Sequence, residues 1–247
     1  MNASAVGWIE PDWPVPRRVR VLCTERPGGV SEGPYAALNL AAHVGDRSGA
    51  VAENRRRLRE AARLPSEPFW LEQVHGCDVV RHAGPSAPVR ADASVATEPG
   101  RVCAVLTADC LPVVLADQRG TRVAVAHAGW RGLAGGVLEA TVASLDVPAA
   151  DLCAWLGPAI GPDAFEVGGE VRAAFLHRWP DCGGCFRANA RGRHQADLYA
   201  LARLALSKAG VASVHGGGWC TLGDADRFYS FRRDGTTGRM ATLAWLA

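Results

Sequence analysis

Three nearly continuous apolar runs lie close together in the middle of this 247-residue chain. They cover residues 102–107, 112–116 and 123–126 and consist mainly of valine, leucine and alanine. Apolar runs without polar alternation are typical of strands that are buried on both faces of a sheet. We therefore expect a sheet with other layers packed on both of its sides.

The remaining periodic segments interleave strands with helices. Further strands are predicted at residues 19–23, 69–74, 78–82, 152–156, 211–215, 228–232 and 240–246. Helices are predicted at residues 48–63, 170–178 and 196–209, and in the segment that follows His127. The order has no strict strand–helix–strand rhythm, which argues against a Rossmann fold. The prediction is an α+β (mixed α/β) fold, a layered sandwich of mixed sheets flanked by helices, in a single domain of residues 1–247.

Composition excludes several classes of protein. The formal net charge is only +2, too small for a general nucleic-acid binder or for a protein attracted to membrane surfaces. No apolar run approaches the ~18 residues that span a bilayer. The first twenty residues carry two acidic residues and three prolines, unlike a secretory leader. We therefore expect a cytoplasmic protein with reduced cysteines, bound neither to nucleic acid nor to a membrane, while its oligomeric state stays open.

Three reactive side chains stand at the ends of strand-like runs. They are His75 in QVHG, Cys110 in TADC and His127 in HAGWRG. Two imidazoles and a thiolate suit a catalytic zinc site with a vacant fourth position, and Asp109 could support one ligand. Two alternatives stay open: Cys110 as a nucleophile with a histidine base, or a buried cysteine beside hydrogen-bonded histidines.

At this point the sequence resembles the laccase-domain proteins, also called polyphenol-oxidase-like, and the resemblance runs over nearly the whole chain. The ordered segments that carry it are SEGPYAALNLAAHVGD (31–46), ENR (53–55), QVHG (73–76), TADCLPVVLAD (107–117), HAGWRG (127–132), FEVGGEV (165–171), CT near Cys220, FYSFRR and TGR. This family is regarded as purine nucleoside phosphorylases with adenosine deaminase activity. Its site is a zinc ion held by the residues that match His75, Cys110 and His127.

The resemblance implies phosphorolysis of adenosine, inosine, guanosine and 5′-methylthioadenosine, with phosphate as co-substrate, and hydrolytic deamination of adenosine. Arginine suits phosphate because its planar fork binds two oxygens. Arg55, in the family-matching ENR segment, is our first candidate, and Arg131, at the head of the helix after His127, is the second. Asn39 and His43 lie in a long turn-rich segment that is predicted to form a substrate wall or, equally, an ordered surface loop.

Two other activities compete with this assignment. One is a cysteine hydrolase or editing enzyme that acts on peptidoglycan precursors, since relatives are linked to cell-wall quality control. The other is a copper-dependent polyphenol oxidase, but the chain has seven histidines and no two lie within three residues of each other. Multicopper chemistry needs many histidines, often in closely spaced pairs, so copper binding is expected only in vitro.

A separate cysteine pair, Cys182 and Cys185, forms a CxxC pattern in a glycine-rich stretch. No second pair accompanies it, so a structural zinc finger is not expected. The pattern predicts an exposed loop that tolerates cysteine, with a redox switch or a partial metal site as alternatives.

Overall fold

The computed structural model describes residues 5–84 and 89–247. Its strands are, in chain order, β1 (Trp8–Ile9), β2 (Val19–Thr24), β3 (Val79–Arg81), β4 (Ala93–Ala96), β5 (Cys103–Thr107), β6 (Leu111–Asp117), β7 (Val123–Ala128), β8 (Leu152–Leu156), β9 (Glu166–Val167), β10 (Phe186–Ala188), β11 (His194–Ala196), β12 (Ser213–Gly216) and β13 (Met240–Leu246). The α-helices are α1 (Ser48–Ala61), α2 (Trp130–Gly135), α3 (Val137–Ser144), α4 (Gly169–Arg178), α5 (Leu198–Lys208) and α6 (Phe231–Asp234). Short 3₁₀ helices span Gly33–Tyr35, Ala149–Asp151 and Pro180–Cys185.

The three apolar runs form β5, β6 and β7. Strands β6 and β7 lie at the centre of a mixed sheet with the order β12-β8-β6-β7-β4-β3. Its inner pairs are antiparallel, whereas β12 and β3 run parallel to their neighbours β8 and β4. Every residue of β6 and β7 is buried. The prediction of strands buried on both faces is confirmed for β6 and β7.

A second sheet packs against the central one. It has the order β1-β2-β13-β5 and is antiparallel throughout. Val105 of β5 belongs to one buried cluster with Val114 of β6 and Val125 of β7, so the inner faces of the two sheets share a core. Apolar contact of this kind removes both faces from water, which is the main stabilising term in such a sandwich.

Helices and a long loop cover the two outer faces. Leu138 of α3 and Leu201 of α5 share a buried cluster with Val113 of the central sheet. On the opposite side, Leu58 of α1 and Leu40 of the turn-rich segment pack with the outer face of the second sheet. The predicted α+β class, a layered sandwich of mixed sheets flanked by helices and not a Rossmann fold, is therefore confirmed. A smaller sheet, in the order β10-β11-β9, lies beside α4.

In the described parts of the chain, every helix is too short or too polar to cross a membrane.

The predicted strand at residues 69–74 is wrong. This segment makes only isolated bridges instead of a ladder. The reason is a tertiary contact: the Gln73 side chain takes the place of a strand neighbour, because its Nε2 donates to the Leu106 carbonyl at 2.8 Å and its Oε1 accepts from the Leu106 amide at 2.7 Å. The chain can therefore leave the sheet just before His75.

The predicted strand at residues 228–232 is also wrong. Phe228 and Tyr229 are fully buried, but the chain then turns into the short helix α6. Ser230 begins that helix, because its hydroxyl accepts a hydrogen bond from the amide of Arg233 at 3.2 Å. An aromatic run followed by a serine cap was misread as a single strand.

Candidate metal centre

Three chain segments meet at one end of the two sheets. The end of β5 leads through residues 108–110 into the start of β6, and the first residue of β6, Leu111, pairs with the last residue of β7, Ala128. On the other sheet, Met240 at the start of β13 pairs with Thr107 at the end of β5. Strand pairing thus determines which side chains gather at this end.

The pairing brings Cys110 next to His127, and the segment after Gln73 adds His75. The candidate ligand atoms of these three residues all lie within 4.8 Å of one another. The Cys110 Sγ lies 3.9 Å from the His75 Nε2, and the two imidazole rings meet edge to face with centroids 4.8 Å apart. We call this group the His–Cys–His cluster.

The donor set of the cluster fits zinc. Zinc takes nitrogen and sulfur ligands, with bonds of about 2.0–2.1 Å to histidine and about 2.3 Å to cysteine. Neighbouring ligands of a tetrahedral ion then lie roughly 3.4–3.8 Å apart. The observed separations of up to 4.8 Å are slightly wider, so a small inward movement of the side chains completes three ligand positions. Among the described residues, this is the one group of three or more candidate ligands.

Asp92 holds the His127 ring in place. Its Oδ1 lies 2.8 Å from the His127 Nδ1, and the carboxylate is fully buried. The Nδ1 proton is therefore directed at Asp92, which leaves Nε2 as the nitrogen that can accept a metal. Asp92 lies in no motif that indicates its role, although a carboxylate among the small and apolar residues 91–96 is the kind of signal that marks a functional position.

Asp92 also fixes the turn that carries His75. Its carboxylate accepts hydrogen bonds from the amides of Val74, His75 and Gly76 at 2.7–3.2 Å. His75 has φ of 61°, a conformation that costs a non-glycine residue energy and persists only where the surroundings enforce it. One carboxylate therefore positions two of the three cluster residues.

Asp109 does not support the cluster as the sequence analysis proposed. Its carboxylate accepts from the Thr221 hydroxyl at 2.6 Å and from the Arg232 amide at 2.7 Å. These bonds tie the turn before Cys110 to the C-terminal part of the chain. The supporting carboxylate for the histidine is Asp92 instead.

Mutual electrostatics shift the pKa values of the cluster. Burial alone would raise the pKa of Cys110, but the charge of His127 and hydrogen bonds from both histidines outweigh it and lower this pKa to about 6. Burial alone would lower the pKa of His127, yet the Cys110 thiolate and the Asp92 carboxylate raise it to about 9. The metal-free cluster thus favours a thiolate, the form of cysteine that binds metals and acts as a nucleophile.

Gly129 leaves room for the cluster. A Cβ atom at this position would lie 2.9 Å from the Cys110 Sγ and 3.0 Å from the His75 Cδ2, both closer than van der Waals contact allows. The backbone of Gly129 has φ of −61°, which any residue can adopt. Space, and not backbone conformation, therefore requires glycine here.

A cavity of about 210 Å³ opens beside the cluster. Its wall contains His75, Cys110 and His127 together with His43, Gln73, Leu106, Thr107, Ala108, Phe231 and Arg239. The side chain of Phe231 is 58% exposed and that of Val74, next to His75, is 38% exposed. A large apolar side chain that remains exposed at a cavity is typical of a binding surface.

Of the four predicted substrate-binding residues, only His43 reaches this cavity wall. Burial lowers the pKa of His43, and the nearby guanidinium groups of Arg239 and Arg55 lower it further. Arg55 itself lines a separate surface pocket along α1, donates from Nε to the Leu40 carbonyl at 3.0 Å and stacks on Trp70 at 4.1 Å.

The other two predicted residues lie off the cavity wall. Asn39 is fully buried, and its amide bonds with Asp46, with the Ala41 backbone and with the Arg239 amide. This arrangement organises the loop that carries His43 and leaves no free polar atom for a base or ribose. Arg131 is exposed at the start of α2 and lies over the Trp130 ring at 4.4 Å.

Sequence reasoning missed the roles of Arg239 and Phe231 at the cavity. Both belong to segments that carry the family resemblance, TGR and FYSFRR, but neither segment has a spacing that indicates its chemistry. Their approach to the cluster depends on the pairing of β13 with β5, which no local pattern specifies.

The pair Cys182 and Cys185 lies apart from the cavity wall, within the 3₁₀ helix Pro180–Cys185. Cys182 is buried in the cluster that α3 and α5 form with the central sheet. The prediction of an exposed loop is therefore wrong for this residue. It packs as a small apolar side chain.

Comparisons with known proteins agree with this architecture. Residues 20–247 match the family model described as multi-copper polyphenol oxidoreductase laccase. A purine nucleoside phosphorylase of Pseudomonas aeruginosa is 58% identical over 247 residues, covering 100% of this chain and 99% of that protein. Purine nucleoside phosphorylase YfiH of Escherichia coli is 53% identical over 239 residues, covering 96% and 98%.

Solved structures give the same result. The crystal structure of a Neisseria meningitidis protein of the DUF152 family has a TM-score of 0.94 at 50% identity, covering 97% of this chain and 98% of that one. YlmD from Geobacillus stearothermophilus has a TM-score of 0.91 at 32% identity, covering 98% and 97%. The matches in sequence and in fold extend over almost the full length of both partners. The chain therefore belongs to the multi-copper polyphenol oxidoreductase laccase family.

Proposed function

We propose that this protein is a zinc-dependent purine nucleoside phosphorylase with adenosine deaminase activity. The observation that carries the proposal is the His–Cys–His cluster at the wall of a cavity, in a chain whose relatives are named purine nucleoside phosphorylases. The proposed substrates are adenosine, inosine, guanosine and 5′-methylthioadenosine, with inorganic phosphate as co-substrate. His75, Cys110 and His127 are the proposed metal ligands and catalytic residues.

Both reactions act on the purine nucleoside itself. In phosphorolysis a phosphate oxygen forms a bond to C1′ of the ribose while the bond from C1′ to the purine nitrogen breaks. The purine leaves with the bonding electrons and takes up a proton. In deamination, water adds its oxygen to C6 of adenosine and ammonia leaves. A bound zinc ion would supply an electrophile and would lower the pKa of water toward about 7.

The residues around the cluster have defined tasks in this proposal. Asp92 orients the His127 ring and holds the turn that carries His75. The candidate metal-binding nitrogens of the two histidines therefore stay close to each other and to the Cys110 Sγ. Phe231 offers an exposed aromatic face at the cavity, which suits a planar purine. His43 is mostly neutral at pH 7, since its pKa is lowered, and a neutral imidazole can donate a hydrogen bond to the departing purine nitrogen.

One observation favours a second candidate, a cysteine hydrolase that acts on peptidoglycan precursors. The Cys110 Sγ lies within 4.8 Å of a His127 ring nitrogen, and Asp92 orients the His127 ring, which offers a nucleophile, a base and an orienting carboxylate, as used in nucleophilic catalysis. The same three residues equally suit a metal ligand set, because a carboxylate commonly orients a ligating histidine. His75 distinguishes the metal site from the cysteine hydrolase. The metal needs His75 as a third ligand, whereas catalysis by Cys110, His127 and Asp92 does not.

Copper oxidase chemistry is a weaker alternative despite the family name. The cluster offers one thiolate and two imidazoles, and the described residues hold no second group of candidate ligands. Copper outranks zinc in intrinsic affinity for such ligands, so we expect it to bind when offered in vitro.

The remaining parts of the proposal concern the whole protein. We propose a single catalytic domain of residues 1–247, located in the cytoplasm, that takes small molecules and neither nucleic acid nor membrane as its partner. The formal net charge of +2 supports this choice of partners, because stable binding to phosphate backbones or lipid headgroups needs a larger basic excess.

Release of hypoxanthine from inosine and phosphate tests the proposal. We expect activity in the purified protein, loss after chelation and recovery with zinc. Cys110→Ala should abolish turnover, whereas Cys185→Ala, away from the cavity wall, should retain it. Activity that survives chelation but is lost on alkylation would support the cysteine hydrolase instead. Full turnover by Cys110→Ala would contradict both mechanisms.

A further inference from the structure

Arg239 is a half-buried cation without a carboxylate partner. It precedes β13 and lines the same cavity as the His–Cys–His cluster. One nitrogen, Nη1, donates to the carbonyls of Thr237 and Gly238 at 2.8 and 2.9 Å. Within residues 5–84 and 89–247, Nε and Nη2 donate to no protein acceptor, and no carboxylate lies within 4.0 Å of the guanidinium. The guanidinium also lies over the Phe231 ring, 5.7 Å from its centroid. A half-buried cation with free N–H donors at a cavity wall suits an anionic ligand.

The surroundings of Arg239 add donors and positive charge. His43 lines the same cavity, and its pKa is lowered partly by Arg239 and Arg55, which means that both guanidinium groups act on this region. Thr107 also lines the cavity, and its hydroxyl is buried without a hydrogen-bond partner in the described residues. A buried hydroxyl that lacks a partner is uncommon in proteins and often marks a ligand position.

The position of these groups is fixed by backbone pairing. Met240 pairs with Thr107 across β13 and β5, so Arg239 stands beside the end of β5. The backbone amide of Arg239 donates to the Asn39 side chain at 3.0 Å, which connects it to the loop that carries His43. Arg239, Thr107 and His43 are thus held by three elements that are tied to one another.

We propose that Arg239, assisted by Thr107, forms the oxyanion subsite that binds inorganic phosphate in this cavity. The inference rests on the proposed phosphorylase function and names its phosphate residue. The fork of Nε and Nη2 matches two oxygens of a phosphate, and the Thr107 hydroxyl can donate to a third.

As the candidate phosphate-binding residue, Arg239 takes the place of Arg55 and Arg131, which the sequence favoured. Arg55 lines a different pocket and uses its Nε on the Leu40 carbonyl, and Arg131 is exposed over Trp130. Neither stands on the wall that contains the cluster. Arg55 contributes positive potential near His43.

The test compares Arg239→Gln with a matched control. Arg203→Gln is suitable, because Arg203 also donates to two backbone carbonyls, those of Val214 and Gly216, and lies off the cavity wall. Inorganic phosphate binding is measured by calorimetry on the purified protein, and KM values for phosphate and inosine are measured separately. Metal content is determined for every variant, since phosphate could also contact a bound metal.

We expect Arg239→Gln to weaken phosphate binding and to raise KM for phosphate by about 10- to 100-fold, the effect of losing charged hydrogen bonds. KM for inosine and the metal content should change far less, and Arg239→Lys should recover part of the affinity. Phosphate binding by Arg239→Gln equal to that of the wild type would overturn the proposal. So would a wild-type protein that binds no phosphate, or loss of binding in Arg55→Gln alone.

Three further outcomes distinguish a failure of the phosphate subsite from a failure of the proposed phosphorylase function. If inosine 5′-monophosphate binds through Arg239 and inorganic phosphate does not, the subsite serves a nucleotide and the proposal is wrong. If the wild type binds phosphate through Arg239 but never cleaves inosine, the subsite stands and the phosphorylase function fails. If inosine is cleaved with an unchanged phosphate KM in Arg239→Gln, the function stands and the subsite fails.

Discussion

Asp92 is the residue on which the geometry of the His–Cys–His cluster depends most. Its carboxylate accepts from the His127 ring and from three amides of the turn at His75. A neutral amide cannot accept all of these bonds, because one of its terminal atoms is a donor. Loss of Asp92 should therefore affect both stability and metal binding.

We expect Asp92→Asn to lower metal affinity by about 10- to 100-fold, the usual effect of removing a carboxylate that orients a ligand. The free energy of unfolding should fall by about 1–3 kcal/mol, because buried groups lose their partners. Asp117→Asn is the control: Asp117 is equally buried and bonds with Thr121 and Arg122, but it lies at the far end of β6. It should lose stability and keep its metal affinity; equal metal loss in both variants would contradict this account.

Gly129→Ala tests the space at the cluster. The added methyl group would contact the Cys110 Sγ at 2.9 Å, so we expect metal affinity and purine release to fall at least tenfold while the fold is retained. Gly183→Ala is the control, because a Cβ there meets nothing within 4 Å. A metal titration measures the affinity, the purine release assay measures the activity, and circular dichroism shows whether the fold is retained. Unchanged metal affinity in Gly129→Ala would show that the cluster accommodates a methyl group at position 129, which would contradict this account.

The thiolate of Cys110 should be detectable in metal-free protein. Burial alone would raise its pKa, but the two histidines lower it to about 6, below the ordinary thiol value, so the reactive anion predominates at neutral pH. Alkylation by iodoacetamide should modify Cys110 first, slow down as the pH falls through about 6, and be blocked by zinc. Burial raises the pKa of Cys23 and Cys103 to about 12, so these thiols should stay unmodified. An alkylation midpoint near 8.5 for Cys110 would contradict the pairing with His127.

At the scale of elements, α1 anchors the long loop that carries His43. Asn54 on the buried face of α1 accepts from the Val30 amide and donates to the Ser31 hydroxyl and to the carbonyls of Ala37 and Asn39. One amide side chain thus satisfies backbone groups along this loop, and these groups would otherwise be buried without partners.

Asn54→Ala should lower the free energy of unfolding by about 1–3 kcal/mol, because it leaves buried donors and acceptors unpaired. Limited proteolysis should then cut the loop at residues 31–46 before the rest of the chain. Ser48→Ala, at the exposed start of the same helix, should change neither property. Urea denaturation gives the stability, and a loop that remains resistant in Asn54→Ala would argue against this anchoring role.

Elements were predictable from the sequence where burial is uniform. The apolar runs of β5, β6 and β7 were identified because every position in them is buried, so that composition alone indicates a strand. The segments 69–74 and 228–232 were misread because single side chains decide them: Gln73 replaces a ladder partner, and Ser230 begins a helix. The Gln73 bonds to Leu106 are tertiary and the Ser230 cap is local, but each depends on one side chain and leaves no periodic signal.

The residues of the candidate site also fall into those that the sequence predicts and those that it does not. The cluster residues were singled out because rigid scaffolds usually present functional groups at strand ends and in the loops after them, and the family resemblance added weight to them. Asp92 and Arg239 were not, since their relation to the cluster arises from pairing between distant strands. Asn39 was placed near a substrate because it lies in a long turn-rich segment, and Arg131 because it begins a helix. Contacts with Asp46 and Trp130 account for their positions instead.

At the scale of the whole molecule, the two packed sheets hold the strand ends at the His–Cys–His cluster in a fixed arrangement. The shared core between them holds the ends of β5 and β7 and the start of β6 in fixed relation. Ligand side chains on such a frame need little reorganisation to bind an ion, which favours affinity. Metal binding to the folded state alone should then stabilise the entire protein.

Zinc should therefore raise the melting temperature of the wild-type protein in a concentration-dependent way, and chelation should lower it. Cys110→Ala should show no such shift, because it removes the only sulfur ligand of the cluster in the described chain. Differential scanning calorimetry measures the effect. A zinc-induced shift of equal size in Cys110→Ala would place the ion elsewhere.

The most direct test of the central claim is the metal content of the purified protein under zinc titration, compared between the wild type, Cys110→Ala and the control Cys185→Ala. The account predicts tight, stoichiometric zinc in the wild type and in Cys185→Ala and its loss in Cys110→Ala. Stoichiometric zinc in Cys110→Ala, or none in the wild type, would contradict it.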